Sequence, residues 1–316
     1  MKPAPFFSRR LWRIGTRKSP LALAQTAEAS TALRKKFPGI RLKITPLSTF
    51  GDEFQSVELF KRSQQGIFTK AIEKKLKFRI IDLAVHSLKD LPTQSPKGLR
   101  LAAVLERADT ADALISKKNY DLKSLPKHAV VGTGSLRRKC QLLKLRPDLR
   151  VEPLRGNLGT RIRKTLHEKK YDAILVAQAG ILRLGGYASF AKRIAPHILL
   201  PAVGQGAIAI QARSDDAEAL RLAKAIHHPK TAIQTRAERA FLETLHGGCR
   251  VPLGVHTRIR NKKIRMTGAV FSVRSDASLK AYATGPDTNA EAVGRKLAQK
   301  LLRQGARKLL KEAREL

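Results

Sequence analysis

Short apolar runs alternate with stretches of helical periodicity through the first two thirds of the chain. LRLAAVL (99–105), AVVGTG (129–134) and YDAILVAQ (171–178) predict strands, while 20–36, 136–145 and 159–170 predict helices. Ile14-Gly15-Thr16 reads as the end of a first strand, which leaves residues 1–10 as a short N-terminal extension. Alternation of this kind argues for α/β layers with largely parallel sheets. Two segments also echo two others in the same order. IGTRKSPLALAQ (14–25) and VGTGSLRRKCQ (131–141) each give a strand, Gly-Thr, a Ser near a helix start, and a helix. IDLAVHSLKDL (81–91) and YDAILVAQAGIL (171–182) each run from an Asp through an apolar strand into a polar turn. Two echoes in register suggest two related α/β domains.

Beyond LLPAVGQGAIAIQAR (199–213) the pattern changes. Residues 215–246 carry one long helical pattern that ends at Gly247-Gly248. VPLGVHTRIR, IRMTGAVFSV and LKAYATG then predict three strands, and 288–313 a basic amphipathic helix. This is the signature of a small α+β domain.

A length of 316 residues suits two or three domains, and a 42% hydrophobic content can fill their cores. No apolar run approaches the roughly 20 residues of a membrane span. Cys140 and Cys249 stand far apart without metal-type spacing, which suits a reducing compartment. The histidines form no HxxxH or HExxH pattern, so no metal is expected. Charge is the unusual feature, with 63 basic against 25 acidic residues and a net +38. A nucleic-acid binder would use it to displace counterions from phosphates. An enzyme for polycarboxylates would instead use clefted arginines above a solvated basic surface. Aromatics at 5% and the absence of RNP or zinc-finger signatures favour the second reading.

The candidate chemistry lies at the ends of predicted strands. A helix N-terminus opened by Gly-Thr and Ser offers unpaired N–H groups and a positive dipole end to an anion. Arg17 and Lys18 lie at the first such place and Arg137 and Arg138 at the second. Either one alone is explained by ordinary capping and solvated charge. The following LRGNLGTRIR, with Arg155, Arg161 and Arg163, points to a cleft for a multiply anionic ligand. The planar fork of arginine matches carboxylates two bonds at a time. HSLKDLP (86–92) places Asp90 beside Lys89 at a strand's C-terminal end, where open α/β sheets bind ligands. By itself a turn Asp before Leu-Pro is the plainer reading. LHGGCRVPLG (245–254) sets the Cys249 thiol on a Gly-Gly turn, unlike the apolar setting of a structural cysteine. His246 is a poor candidate base, so a thiol protease is disfavoured.

Together these segments resemble the hydroxymethylbilane synthase (porphobilinogen deaminase) family along nearly the whole chain. The matching pieces are GTRKSPLALAQ, QGIFTKAIE, DLAVHSLKDLP, GTGSLRRKCQL, LRGNLGTRIRK, LPAVGQGAIAIQAR and ERAFLETLHGGCRVPLG, in that order. The resemblance implies an α/β fold of two doubly wound domains like type II periplasmic binding proteins, plus a small α+β C-terminal domain. It implies domain 1 at 11–106 with 205–222, domain 2 at 110–200 and domain 3 at 225–316, the LPAVGQGAIAIQAR stretch returning to domain 1. The implied activity joins four porphobilinogen molecules head to tail, with loss of ammonia, into the linear tetrapyrrole hydroxymethylbilane. The implied cofactor is a dipyrromethane primer, bound as a thioether to Cys249. Asp90 is the implied catalytic residue. Arg17, Ser19, Lys61, Lys89, Ser135, Arg137, Arg138, Arg155, Arg161 and Arg183 are the implied carboxylate-binding set. The resemblance further implies a cytoplasmic monomer that passes its product to uroporphyrinogen-III synthase, with no nucleic-acid or membrane partner.

The residue types suit that chemistry. Loss of ammonia leaves a cation delocalised onto the pyrrole nitrogen, which one carboxylate can stabilise while assisting proton movements. Each added pyrrole brings an acetate and a propionate, so the arginines must offset accumulating negative charge. Two departures stand out. Gln65-Gly66-Ile67-Phe68 occupies a place where the family commonly has Lys-Gly-Leu-Phe, and Phe50-Gly51-Asp52 a place where it often has Arg before Gly-Asp. The net charge is not a family requirement. An anionic-solute-binding protein with the same two-domain cleft would need no LHGGCRVPLG, and a nucleic-acid binder would carry no pyrrole adduct.

Overall fold

A computed structural model describes residue 7 and residues 10–48, 69–247 and 251–315. The chain opens with β1 (Leu11–Arg17), α1 (Pro20–Lys36), β2 (Arg41–Leu47), α2 (Lys70–Lys77), β3 (Leu83–Ser87) and β4 (Leu99–Val104). It continues through β5 (Asp112–Ile115), β6 (Val130–Gly132), α3 (Leu136–Leu145), β7 (Arg150–Glu152), α4 (Leu158–Leu166), β8 (Ala173–Ala177), α5 (Gln178–Leu184) and β9 (Ala191–Ile194). Then come β10 (Ile208–Arg213), α6 (Ala217–Lys224), α7 (Pro229–Thr244), β11 (Leu253–Arg260), β12 (Lys263–Phe271), β13 (Ser278–Pro286), α8 (Ala290–Arg303) and α9 (Ala306–Arg314). These elements divide between two compact units, 1–107 with 207–232, and 108–206 with 233–316.

The first unit holds a five-stranded sheet in the order β2-β1-β3-β10-β4. β1 runs parallel to β2 and β3, and β10 runs antiparallel to β3 and β4. Ala29 and Leu33 of α1 and Leu222 and Ala223 of α6 pack with Ile14, Leu83, Val85 and Ile210. Ile72 and Leu76 of α2 pack with Ile81 and Ala84, which the strand alternation turns to the opposite face. The sheet is therefore wound on both sides.

The second unit repeats the plan in the order β7-β6-β8-β5-β9, with β5 as its antiparallel strand. Leu142 of α3 packs with Val131, Ala173 and Leu175, while Ile162 and Leu166 of α4 pack with Ile174 and Val176. The two echoes seen in the sequence have a structural meaning here. A Cβ on Gly15 would collide with the tip of Ile81, and one on Gly132 would come 2.8 Å from the ring of Tyr171, at the equivalent place. Asp82 accepts from the Arg13 amide at 2.9 Å, and Asp172 accepts from the Val130 amide at 2.7 Å. The same residue types thus join the same pair of neighbouring strands in both sheets.

The second unit also carries a three-stranded antiparallel sheet, β11-β12-β13. Its inner face, with Val255, Ile264, Met266 and Ala283, packs on Phe241, Leu297, Leu301 and Leu310. Two predicted long helices are each divided. The 215–246 pattern breaks between α6 and α7, where Pro229 cannot donate to a preceding turn and the His228 ring accepts from the Thr231 amide at 3.3 Å. The 288–313 pattern breaks at Gly305, whose φ of 98° is a left-handed conformation that suits glycine. Periodicity continues across both breaks because apolar spacing does not report a single backbone reversal.

Candidate active site

In the first unit the adjacent C-terminal ends of β1 and β3 carry the candidate residues. Arg17 is the last residue of β1, and Ser19 caps α1 by accepting from the Ala22 amide at 3.4 Å. β3 leads through a short 3-10 turn, Leu88–Asp90, whose Leu88 side chain is buried. The Ser87 hydroxyl donates to Gln25 of α1 at 3.0 Å, and the Leu88 amide donates to the Ala207 carbonyl at 3.0 Å. Sheet and helix therefore both hold the turn that presents Lys89 and Asp90. Both residues are half-buried. Among the described residues no hydrogen-bond donor takes the Asp90 carboxylate.

One strand register back, His86 is fully buried, and its Nε2 has no hydrogen-bond partner among the described residues. Burial pushes its pKa down to about 4, the Arg17 charge adds to that, and the Gln211 side chain offsets part of it. A neutral imidazole thus lies just behind the turn.

In the second unit β7, β6 and β8 are parallel neighbours, and their C-terminal ends form one edge. Ser135 caps α3 by accepting from the Arg138 amide at 3.5 Å, and Asn157 caps α4 by accepting from the Thr160 amide at 2.9 Å. A Cβ on Gly134 would come 2.8 Å from the Leu154 carbonyl oxygen, so the turn bearing Ser135 lies against the turn bearing Arg155. Arg161 donates to the Gly156 carbonyl at 2.7 Å, and Arg183 donates to the Gly206 carbonyl at 3.0 Å. Arg155, Arg161 and Arg183 are all half-buried.

Arg137 and Arg138 have a different setting. Both are buried, and their guanidiniums converge on the fully buried Asp112 at 2.6 and 2.7 Å. Arg137 also donates to the Leu200 carbonyl at 2.6 Å, Arg138 to the Leu175 carbonyl at 3.1 Å, and Gln205 to Asp112 at 3.0 Å. Burial alone would raise the Asp112 pKa, but the two arginines outweigh it and hold the carboxyl well below its ordinary range. Burial depresses the Arg138 pKa despite Asp112. Two cations against one anion leave the cluster with one surplus positive charge. A carboxylate for these arginines was expected from a ligand, and the chain supplies one itself. The Ala111-Asp112-Ala113-Leu114-Ile115 run carried the signal, because an acid inside an apolar strand has to find a partner.

Cys249, Lys61, Gln65 and the 50–52 segment lie outside the described residues. The described strand ends supply donors of the kind that a multiply anionic cofactor needs. α1, α3, α4 and α5 begin at these strand ends, and none carries an acid in its first turn. Among the other described helices, α2, α6 and α8 carry Glu73, Glu218 and Glu291 there. Within each unit, taken by itself, the strand ends set cations beside a helix start free of first-turn acids, a setting that suits carboxylates. No group of three or more metal-ligating side chains occurs among the described residues.

Fold and site define an α/β protein of two similar units whose strand ends each suit anionic groups, those of the first also bearing the half-buried Asp90. The chain belongs to the porphobilinogen deaminase family. Residues 12–221 match the family model described as porphobilinogen deaminase, dipyrromethane cofactor binding domain, and residues 232–303 match that of the C-terminal domain. The chain is 45% identical over 306 residues to the porphobilinogen deaminase of a Nostoc species, covering 96% of this chain and 94% of that one. It is 43% identical over 301 residues to that of Desulforamulus reducens, covering 95% and 97%. A looser likeness, at 16% identity and a TM-score of 0.41, extends to a putative methionine-binding lipoprotein from Bacillus subtilis over 71% of this chain and 92% of that one.

Proposed function

We propose that this chain joins four porphobilinogen molecules head to tail, with loss of ammonia at each step, and releases hydroxymethylbilane. The observation that carries this reading is Asp90, held on a braced turn at the end of β3 in a chain of this family. When bound, the dipyrromethane supplies the free pyrrole α-carbon from which the product grows. Asp90 accepts a hydrogen bond from the pyrrole N–H of the incoming porphobilinogen and stabilises the positive charge that develops as the carbon–nitrogen bond breaks and ammonia leaves. A carbon–carbon bond then forms at the methylene, and Asp90 is placed to take the α-proton that is released. Arg17, Lys89, Arg155, Arg161 and Arg183, with the capped helix starts at Ser19 and Ser135, offset the acetates and propionates. Arg137 and Arg138 act through their cluster with Asp112, which fixes the start of α3 and adds its surplus charge to that edge. Lys61 assists the same charge balance, and Cys249 is the attachment point.

We read the chain as three domains, 11–106 with 205–222, 110–200 and 225–316, a division supported by its three separate sheets. The enzyme works as a cytoplasmic monomer in this reading, and uroporphyrinogen-III synthase takes its product. Among the described residues, no helix is long and apolar enough to cross a membrane.

The test is intact mass spectrometry together with turnover of porphobilinogen. Protein made in cells supplying porphobilinogen should exceed its sequence mass by one dipyrromethane, and Cys249→Ala should lose both adduct and turnover. An unmodified chain that forms hydroxymethylbilane at full rate would overturn the attachment. An unmodified and inactive chain would leave an anionic-solute-binding protein of the same fold.

A further inference from the structure

The outer face of the β11-β12-β13 sheet carries none of the residues assigned above to the reaction, and it is unusually charged. One end of this face is closed, because Ala269 and Phe271 pack with Leu200 and the half-buried Cys140. The other end is open. There the cross-strand rows are His256-Thr267-Tyr282, Arg258-Arg265-Thr284 and Arg260-Lys263-Pro286. Arg258, Arg260, Lys263, Arg265 and Tyr282 are all exposed, as are Lys262 in the connecting turn and Lys280 on β13. These rows contain no acid. Asp109, whose pKa the His256 charge helps to lower, is ion-paired with Arg193, and Asp287 follows the end of β13.

Two alternative explanations fit poorly. Lysines and arginines on edge strands deter edge-to-edge pairing. That does not explain Arg265 on the central strand, directly opposite Arg258, or Lys263 opposite Arg260. Like charges facing one another across a ladder destabilise it. Ordinary surface solvation would tolerate interspersed acids, and these three rows have none. Tyr282 is 60% exposed on the same face, with the Lys280 ammonium 5.7 Å from its ring centroid. Cations at strand spacing beside an open aromatic ring form the combination that holds a single-stranded nucleic acid, with phosphates on the cations and a base on the ring.

We propose that this sheet face is a binding surface for single-stranded nucleic acid. This departs from the expectation, drawn from the family resemblance, that the chain has no nucleic-acid partner. The experiment uses the full-length holoenzyme and a fluorescein-labelled oligouridylate of about 20 nucleotides, a length that spans one such site. Anisotropy is recorded across a salt series. Arg258→Glu with Arg265→Glu should weaken binding at least about tenfold and lower the log–log salt slope by about 1.4, from two lost phosphate contacts. A control pair on α9, Arg307→Glu with Lys311→Glu, removes the same charge from another exposed surface and should weaken binding less than about threefold. Tyr282→Ala should weaken binding about fivefold or more with the slope unchanged. Porphobilinogen turnover should stay at the wild-type level in all three variants. Equal losses in the two charge-reversed pairs would mean that net charge alone binds the strand, and would overturn the proposal. So would an unaffected Tyr282→Ala variant, or a sheet-face pair that loses retention on phosphatidylserine vesicles while its oligouridylate affinity is unchanged.

Discussion

At the scale of single residues, the molecule separates two kinds of charged group that look alike in sequence. Asp90 and Asp112 both stand beside apolar strands, and both lie in a chain with a large excess of cations. Asp90 follows its strand on a half-buried turn, whereas Asp112 begins β5 and is fully buried against two guanidiniums. Asp90→Asn keeps the shape of the turn but removes the charge that stabilises the substrate cation. It should lower turnover on the order of 10²–10³-fold while thermal denaturation stays within about 1 kcal/mol of wild type. Near-normal turnover would remove Asp90 from the mechanism. Asp112→Asn should behave in the opposite way. It strands two buried guanidiniums without a counter-charge, a change that costs about 3–5 kcal/mol when a buried pair is broken. Urea denaturation should show the loss, and a variant as stable as wild type would show that solvent or another acid already serves these arginines. The motif singled out Arg137 and Arg138 in the sequence, and the apolar run around Asp112 showed only that this acid needs a partner, because only the fold brings residue 112 to residues 137 and 138.

At the scale of elements, the sequence was most informative where one physical rule decides the outcome. α1 and α3 begin and end where the pattern placed them, each opened by a serine cap. The echoed glycines pointed to two related sheets, and the reason lies in packing, since Ile81 and Tyr171 occupy the space that a side chain would need. The helix breaks at 225–228 and at Gly305 were not legible, because an apolar stripe carries on through a change of axis. Another glycine is more informative than either break. Gly294 lies on α8 where that helix crosses α7, and a Cβ there would collide with the Ala237 carbonyl oxygen. Backbone cannot rotate away as a side-chain tip can. Gly294→Ala should therefore force α7 and α8 apart and cost about 3 kcal/mol or more, beyond what its higher helix propensity returns. Gly15→Ala meets only the tip of Ile81 and should cost about 1–3 kcal/mol. Urea midpoints of the two variants give the comparison, and an equal or smaller loss for Gly294→Ala would mean that the helix crossing is loosely packed.

At the scale of the whole molecule, a net charge of +38 strains a fold that already buries several ionisable groups, and acid adds to that strain in two separable steps. His86 has a folded pKa of about 4 against an unfolded value near 6.5, so its contribution is complete above pH 6.5 and is lost as pH falls towards 4. That shift corresponds to about 3 kcal/mol. Asp82 and Asp112 are held below the ordinary carboxylate value of about 3.9, so what they contribute is intact above it and disappears only as pH falls further. Trp12, the single tryptophan, is buried in the same unit as His86, so its fluorescence in urea follows the relevant unfolding. Wild-type stability should fall between pH 6.5 and 4 and fall again below 4. His86→Leu cannot take up a proton, so it should flatten the first step and leave the second. Parallel curves for the two proteins across pH 6.5–4 would mean that the ring protonates in the fold as readily as in the unfolded chain. In that case the turn bearing Asp90 would have a cation behind it, and the positive charge already set at the strand ends by Arg17 and Lys89 would grow as pH falls.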